Sequence, residues 1–244
     1  MHDKLLEQIQ KYPAFIFDMD GTIINSEIWH HVAWKHMVKL FGGPELPHEL
    51  LLEYGGLPTA TICRDIIKRF NLNADPEEMA KTKTELFINE YMPKAEPFCK
   101  IENILKYLYA QGKRIAIATS SHQPEARYLL GKVGLMPYIH SLVTGDMVQK
   151  GKPNPDIYLL AAKSLGADPV DCLVFEDTVV GMIGIKNAKM DGVKVFDGEF
   201  DCDHIIKADE AWEPAILGFL SPSRWTSTPQ EGLHHTQTSI FLRT

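Results

Sequence analysis

Two aspartates separated by a single residue end the first apolar run of the chain. Asp18 and Asp20 lie in FDMDGT (17–22), directly after AFIF (14–17). In extended backbone, side chains two residues apart point to the same face, so both carboxylates share a face and Met19 turns into the packing. Buried carboxylates are costly unless they are paired, hydrogen-bonded or bound to a metal. The pattern therefore predicts a site that supplies both acids with partners.

Further polar residues follow later apolar runs in the same way. They are Thr119 and Ser120 after RIAIA (114–118), Lys152 in GKPNPD (151–156), and Glu176 and Asp177 at the end of CLVFE (172–176) and just beyond it. In open α/β sheets, ligands bind at the carboxyl ends of the strands. We therefore expect these residues to meet Asp18 and Asp20 at one edge of a sheet.

The residue types at this edge suit phosphoryl chemistry. Grouped carboxylates without an arginine favour a hard divalent cation, with Mg²⁺ the first candidate. A hydroxyl beside free backbone N–H groups suits a phosphate, and a lysine can neutralise the same anion. One aspartate could then attack phosphorus while the other acts as general acid and base.

The elements that position these residues form a β/α alternation. SLVTG (141–145) and GVKVF (192–196) add two strand-like runs, and helical patterns cover 101–112, 124–134 and 156–166. Near-continuous apolarity indicates strands covered on both faces. The pattern predicts an α/β fold with a doubly wound, mostly parallel sheet.

A helical insertion interrupts this alternation. Between residues 27 and 95 the runs are helical and no strand is evident, whereas the chain after about residue 214 is polar and rich in Pro, Ser and Thr. We expect a catalytic core of residues 1–24 and 97–213, a helical cap of residues 25–96, and a flexible tail of residues 214–244.

Composition narrows the range of partners. The formal net charge of −7 argues against nucleic acid, and no apolar run approaches the ~18 residues of a membrane span. Four scattered cysteines without a CxxC pair fit reduced thiols and a cytoplasmic location. We expect the protein to be a monomer, with a dimer as the alternative.

The four motifs together resemble a known family. FDMDGT, IAIATSS (115–121), GKPNPDIY (151–158) and VFEDTVVG (174–181) stand in the order found in the haloacid dehalogenase superfamily. More narrowly, the chain resembles the phosphatase and β-phosphoglucomutase branch, which carries a helical cap after the first motif.

The resemblance implies a role for each central residue. Asp18 would be the nucleophile that forms an aspartyl-phosphate, and also a Mg²⁺ ligand. Asp20 would be the general acid and base, with its backbone carbonyl facing the metal. Lys152 would bridge the phosphoryl group and the nucleophile.

The remaining motif residues would hold the phosphate and the metal. By the same resemblance, the Thr119 hydroxyl and the Ser120 amide would bind the phosphoryl group. Asp177 would ligate Mg²⁺ directly, and Glu176 directly or through water. The plainer alternatives are helix caps at Thr119 and Ser120 and a solvated carboxylate at Glu176.

Cap residues would choose the substrate. His30 resembles the histidine that helps to position the acid/base in phosphoglucomutase members, although a histidine merely packed on the helix is the alternative. Where the mutases carry a phosphate-binding arginine, this chain has Pro58 and Thr59, with Arg64 a turn further on. Lys81 and Lys83 could reach the site, but such charges more commonly form a solvated helix face.

We therefore expect a Mg²⁺-dependent phosphomonoester hydrolase acting on a small phosphorylated metabolite, either a sugar phosphate or a nucleoside monophosphate. The missing arginine disfavours the first alternative, a β-phosphoglucomutase-like mutase. The second alternative is a catalytically idle phospho-ligand sensor, which would be expected to have lost Asp18 or Asp20.

Overall fold

The computed structural model describes residues 7–55, 57, 59–200 and 205–210. The tail expected over residues 214–244 lies outside them. Six strands are present in the described residues: β1 (Ala14–Phe17), β2 (Arg114–Thr119), β3 (Ser141–Thr144), β4 (Cys172–Glu176), β5 (Asp191–Phe196) and β6 (Glu199–Phe200).

The strands form one sheet in the order β3-β2-β1-β4-β5-β6. The pairs within β1–β5 are parallel, and β6 alone runs antiparallel, against β5. Phe17 at the end of β1 lies opposite Ile117 of β2 and Phe175 of β4. This register brings the residues that follow β1, β2 and β4 to the same edge. The predicted doubly wound, mostly parallel sheet is confirmed.

Helices fill the intervals between the strands. The described α-helices are α1 (Ser26–Leu40), α2 (His48–Glu53), α3 (Thr59–Phe70), α4 (Pro76–Leu86), α5 (Cys99–Ala110), α6 (Gln123–Lys132), α7 (Asp156–Ser164) and α8 (Val179–Asn187). A π-helical turn (Phe87–Tyr91) and a 3₁₀ turn (Met92–Lys94) continue α4. Within the described part of the chain, no helix is long and apolar enough to span a bilayer.

Both faces of the sheet are covered, as the sequence pattern indicated. All four residues of β1 are fully buried, and the rings of Phe17 and Phe175 stack with centroids 4.7 Å apart. Met19 is also fully buried in this core, which confirms that it turns away from the two aspartates. The hydrophobic core therefore extends up to the segment that contains Asp18 and Asp20.

The helical cap has an apolar core of its own. Trp34, Met37 and Val38 of α1 pack with residues of α2, α3 and α4 in a second buried cluster. Ile24 pairs with Pro97, and the Asn25 N–H donates to the Glu96 carbonyl at 2.9 Å, so the outgoing and returning segments lie side by side. Helices α1–α4 thus form an inserted cap, whose exact residue limits stay a prediction.

Candidate active site

The carboxyl ends of β1, β2 and β4 open into a cleft of about 1180 Å³ beneath the cap. Among the residues expected at the site, seven line this cleft: Asp18, Asp20, His30, Thr59, Ser120, Lys152 and Glu176. Thr119 is fully buried behind it. The sheet therefore gathers residues that are more than 150 positions apart in the chain.

Asp18 is held by Lys152. The Lys152 Nζ donates to Asp18 Oδ1 at 2.5 Å and to Glu176 Oε2 at 2.8 Å, and all three side chains are buried. Burial, together with the Glu176 charge, raises the pKa of Asp18 to about 8. Burial lowers the pKa of Lys152, but Asp18 and Glu176 outweigh it and hold that pKa well above its usual value. Lys152 therefore stays cationic and favours the ionised form of Asp18, against the opposite effect of burial and of the Glu176 charge.

Glu176 is engaged on both of its oxygens. Besides Lys152, Oε2 accepts from the Tyr158 hydroxyl at 2.8 Å, while Oε1 accepts from the Thr178 N–H at 2.9 Å and its hydroxyl at 2.5 Å. Burial raises the pKa of Glu176, but Lys152 and the Thr178 hydrogen bonds reverse the effect and lower it overall. Both oxygens of Glu176 are held by donors and its ionised form is favoured, so it is suited to positioning Lys152.

Asp18, Glu176 and Asp177 form an acidic cluster that could hold a metal. One oxygen from each lies within 4.8 Å of the others. Burial and the nearby Glu176 charge raise the pKa of Asp177 well above its usual value, and the Thr22 hydroxyl donates to its Oδ1 at 2.9 Å. Crowded carboxylates of this kind fit a hard divalent cation, which would relieve their mutual repulsion.

The Asp20 carboxylate lies outside that cluster. Its Oδ1 accepts from the Ser26 hydroxyl at 2.5 Å, and its Oδ2 accepts from the hydroxyls of Ser121 at 2.7 Å and Thr119 at 3.2 Å. His30 Nε2 is 4.0 Å from Oδ1. Asp20 is thus fixed at the cleft wall, separately from Asp18.

This arrangement changes the interpretation of Thr119. Its hydroxyl donates to Asp20 and accepts from the Ser121 N–H at 3.0 Å, so it is directed at the acid rather than into the cleft. Ser120 does line the cleft. Ser121, which the sequence reasoning did not single out, is the second hydroxyl that orients Asp20.

The cap contributes a buried lysine. Lys83 of α4 is 6% exposed, and its Nζ lies 2.7 Å from His30 Nδ1. The His30 ring stacks on Phe87 with centroids 3.6 Å apart. Burial lowers the pKa of Lys83 to about 8. The expectation of a solvated helix face is wrong for Lys83, because α4 packs against α1, and it holds for the exposed Lys81.

The two other cap candidates differ. Thr59, at the start of α3, lines the cleft. Arg64 is exposed and donates to the Thr61 hydroxyl at 3.3 Å, so the structure does not bring it to the site. The two positions are five residues apart in the sequence, and at about 100° per residue this leaves them about 140° apart around the helix, so the arginine points to another face.

Two charged residues beside the acidic cluster were also missed. Lys194 of β5 lies opposite Glu176 in the sheet and is 5% exposed, and Glu27 lies in the first turn of α1 and lines the cleft. Burial lowers the pKa of Lys194, while Asp177 acts in the opposite direction. The signal for Lys194 was available, since a lysine interrupts the apolar run GVKVF.

Residues 15–195 match the family model for haloacid dehalogenase-like hydrolases. The chain belongs to this family. The match runs from the second residue of β1 through the cap and β2–β4, so it includes the carboxyl ends of the strands that form the cleft.

Relatives in this family include named phosphatases, and the chain is an enzyme of the family's phosphatase type. It is 33% identical to fructose-1-phosphate phosphatase YqaB of Escherichia coli over 76% of this chain and 97% of the relative. It is 30% identical to β-phosphoglucomutase of Bacillus subtilis over 76% and 84% of the two chains. A crystal structure of a haloacid dehalogenase hydrolase from Entamoeba histolytica superposes with a TM-score of 0.67 at 27% identity, covering 75% and 84%.

Proposed function

We propose that the protein is a Mg²⁺-dependent phosphatase that hydrolyses a small phosphorylated metabolite through an aspartyl-phosphate on Asp18. The observation that carries this proposal is the contact between Asp18 and Lys152 beside the acidic cluster. The Asp18 carboxylate lies next to a cation in the cleft, which supports its role as the nucleophile. Phosphoryl transfer depends mainly on such positioning and charge stabilisation.

Asp18 and Asp20 would carry out the nucleophilic attack and the proton transfers, and water would be the second reactant. An Asp18 oxygen attacks phosphorus, a new O–P bond forms, and the ester O–P bond breaks while Asp20 protonates the leaving oxygen. Asp20 then takes a proton from water, which attacks the aspartyl-phosphate and releases inorganic phosphate and free Asp18. Mg²⁺ bound by Asp18, Asp177 and the backbone carbonyl of Asp20, with Glu176 through water, would neutralise phosphate charge.

The Lys152 ammonium has a second task in this scheme. Its Nζ donates to Asp18 at 2.5 Å and is also held by Glu176. As negative charge moves from the carboxylate to the phosphoryl oxygens, the ammonium can therefore stabilise it with only a small displacement. Ser120, at the cleft wall, would offer its backbone N–H to the same oxygens. The Lys152 contacts would lower the barrier because they are already formed before the substrate arrives.

A sugar monophosphate is the substrate class that the relatives favour. The E. coli relative is named for fructose 1-phosphate, and a Thermotoga maritima relative, 31% identical over 74% of this chain, is named a phosphorylated carbohydrates phosphatase. Thr59, His30 and Lys83 of the cap would face the sugar. The cap would exclude bulk water while it retains one attacking water.

A β-phosphoglucomutase-like activity is the second candidate. It is favoured by the B. subtilis relative and by His30, whose Nε2 lies 4.0 Å from Asp20. It is disfavoured by the exposed Arg64, which leaves no arginine among the described residues that line the cleft. A mutase would convert hexose phosphate to its isomer in the presence of a bisphosphate and release little phosphate.

The test is a phosphate-release screen over sugar phosphates and nucleoside monophosphates with Mg²⁺. The wild type should release phosphate from at least one ester, and Asp18→Asn should abolish turnover because its amide cannot attack phosphorus. Asp171→Asn, an exposed and remote exchange of the same type, serves as control. Near wild-type turnover by Asp18→Asn would contradict the covalent mechanism, and ligand binding without any turnover by the wild type would favour a sensor.

A further inference from the structure

The cleft has few cations that could hold a second phosphate. Among the described lining residues the only Lys or Arg side chains are Lys81, Lys83 and Lys152. Lys152 is committed to Asp18 and Glu176, and Lys83 contacts His30. Lys81 is 75% exposed and lies 3.9 Å from Glu85 at the rim. One phosphate can be neutralised at Lys152 and a metal, but a second would find only Lys83.

A carboxylate that the proposed mechanism does not use lies in the same cleft. Glu125 is in the first turn of α6, three residues after His122, which precedes the helix. Burial raises the pKa of Glu125, and the backbone N–H of His122 acts to lower it, which is the direction expected when a glutamate at this position faces back towards the residue before the helix. Glu125 lines the cavity, together with Asp20 and Lys83.

The surroundings of Glu125 are both cationic and anionic. Lys83 of the cap and Asp20 of the core are the charged groups that act on it most strongly. Burial, followed by the Asp20 charge, raises the pKa of Glu125 to about 7, so the group carries a negative charge above neutral pH. A carboxylate beside a lysine can accept and direct hydroxyl groups, whereas it repels phosphate oxygens.

We propose that Glu125 is a specificity-determining residue that rejects a second phosphate and selects monophosphate esters with an uncharged, hydroxyl-bearing leaving group. This inference rests on the proposed phosphatase function and narrows its substrate class. Glu125 accepts hydrogen bonds from hydroxyls of the leaving group, and Lys83 donates to them from the cap side.

The experiment compares kcat/KM for fructose 1-phosphate and fructose 1,6-bisphosphate at pH 8, where Glu125 is charged. Glu125→Gln removes the charge and keeps a side chain of the same shape with a hydrogen-bond acceptor, and glutamine is tolerated at the same position of a helix N-terminus. The variant should shift the ratio of the two kcat/KM values about tenfold towards the bisphosphate. Its melting temperature should match that of the wild type, which separates specificity from helix capping.

Glu85→Gln provides the matched control. It removes a carboxylate from the exposed rim of the same cleft, so the ratio should change less than about twofold. An equal shift in both variants, or an unchanged ratio in folded Glu125→Gln, would overturn the role of Glu125 while leaving the phosphatase function intact. Failure of the wild type to hydrolyse any ester would overturn the proposed function and this inference with it.

Discussion

Substitution of Gly181 by alanine should disable the active site, although Gly181 itself does not line the cleft. This glycine lies in the first turn of α8, and its N–H donates to the Thr178 hydroxyl at 2.9 Å. A Cβ at residue 181 would lie 2.1 Å from the Glu176 carboxyl carbon and 2.3 and 2.5 Å from its oxygens. The carboxylate would have to move by roughly 1 Å to restore ordinary contact distances.

Glu176 cannot make this movement without losing partners. It is fully buried and accepts four hydrogen bonds, from Lys152, Tyr158 and the two donors of Thr178. Hydrogen bonds to a charged group contribute about 1.5–3 kcal/mol each. Loss of one or two outweighs the gain of up to ~1 kcal/mol from alanine in a helix. We expect Gly181→Ala to lower the free energy of unfolding by about 2–4 kcal/mol.

Gly181→Ala should reduce kcat by more than the loss in the free energy of unfolding would suggest. Lys152 is positioned by Glu176, so a displaced carboxylate misplaces the ammonium that touches Asp18. A misplacement of about 1 Å can cost about 100-fold in rate. The assay is kcat for phosphate release from fructose 1-phosphate with saturating Mg²⁺, together with the melting temperature, which should fall by roughly 5–10 °C.

Gly131→Ala is the matched control for Gly181→Ala. Gly131 lies in α6, and a Cβ there meets nothing within 4 Å. This variant should keep full activity and gain up to ~1 kcal/mol in the free energy of unfolding. A Gly181→Ala protein with kcat within about twofold of the wild type would refute the role of Glu176 in holding Lys152.

Two further variants test the metal cluster and the cap. Thr22→Val removes the hydroxyl that donates to Asp177, so after EDTA treatment the Mg²⁺ concentration for half-maximal activity should rise about tenfold; no rise would contradict this contact. Lys83→Met should reduce kcat/KM, whereas Lys81→Met should not. Because the pKa of Lys83 is lowered to about 8, its buried charge lowers the free energy of unfolding below pH 8. This destabilisation decreases as the pH rises towards 10.5, where the unfolded chain also loses the proton. Lys83→Met should therefore raise the melting temperature at pH 7 but not at pH 10.

Local sequence was sufficient for the core strands and most helices. The run CLVFE (172–176) was predicted with the limits that β4 has, because a short apolar run between polar residues is typical of a strand buried on both faces. The short elements α2 and β6 were missed. Six and two residues carry too little periodicity to separate a helix or a strand from a loop.

The sequence by itself also determined the chemical character of the site. Aspartates, hydroxyls and a lysine at the ends of apolar runs identified Asp18, Asp20, Lys152 and the Glu176–Asp177 pair as candidates, since parallel strands bring their carboxyl ends to one edge. Motif order supplied the expected role of each residue.

Only the tertiary structure decided how these side chains are partnered. Lys83 lies in the cleft rather than on a solvated helix face, because α4 packs on α1. Arg64, in contrast, lies away from the cleft. Thr119 faces Asp20, and Glu176 is held by donors from three segments of the chain. Such contacts depend on side-chain direction between elements distant in sequence, which no local pattern encodes.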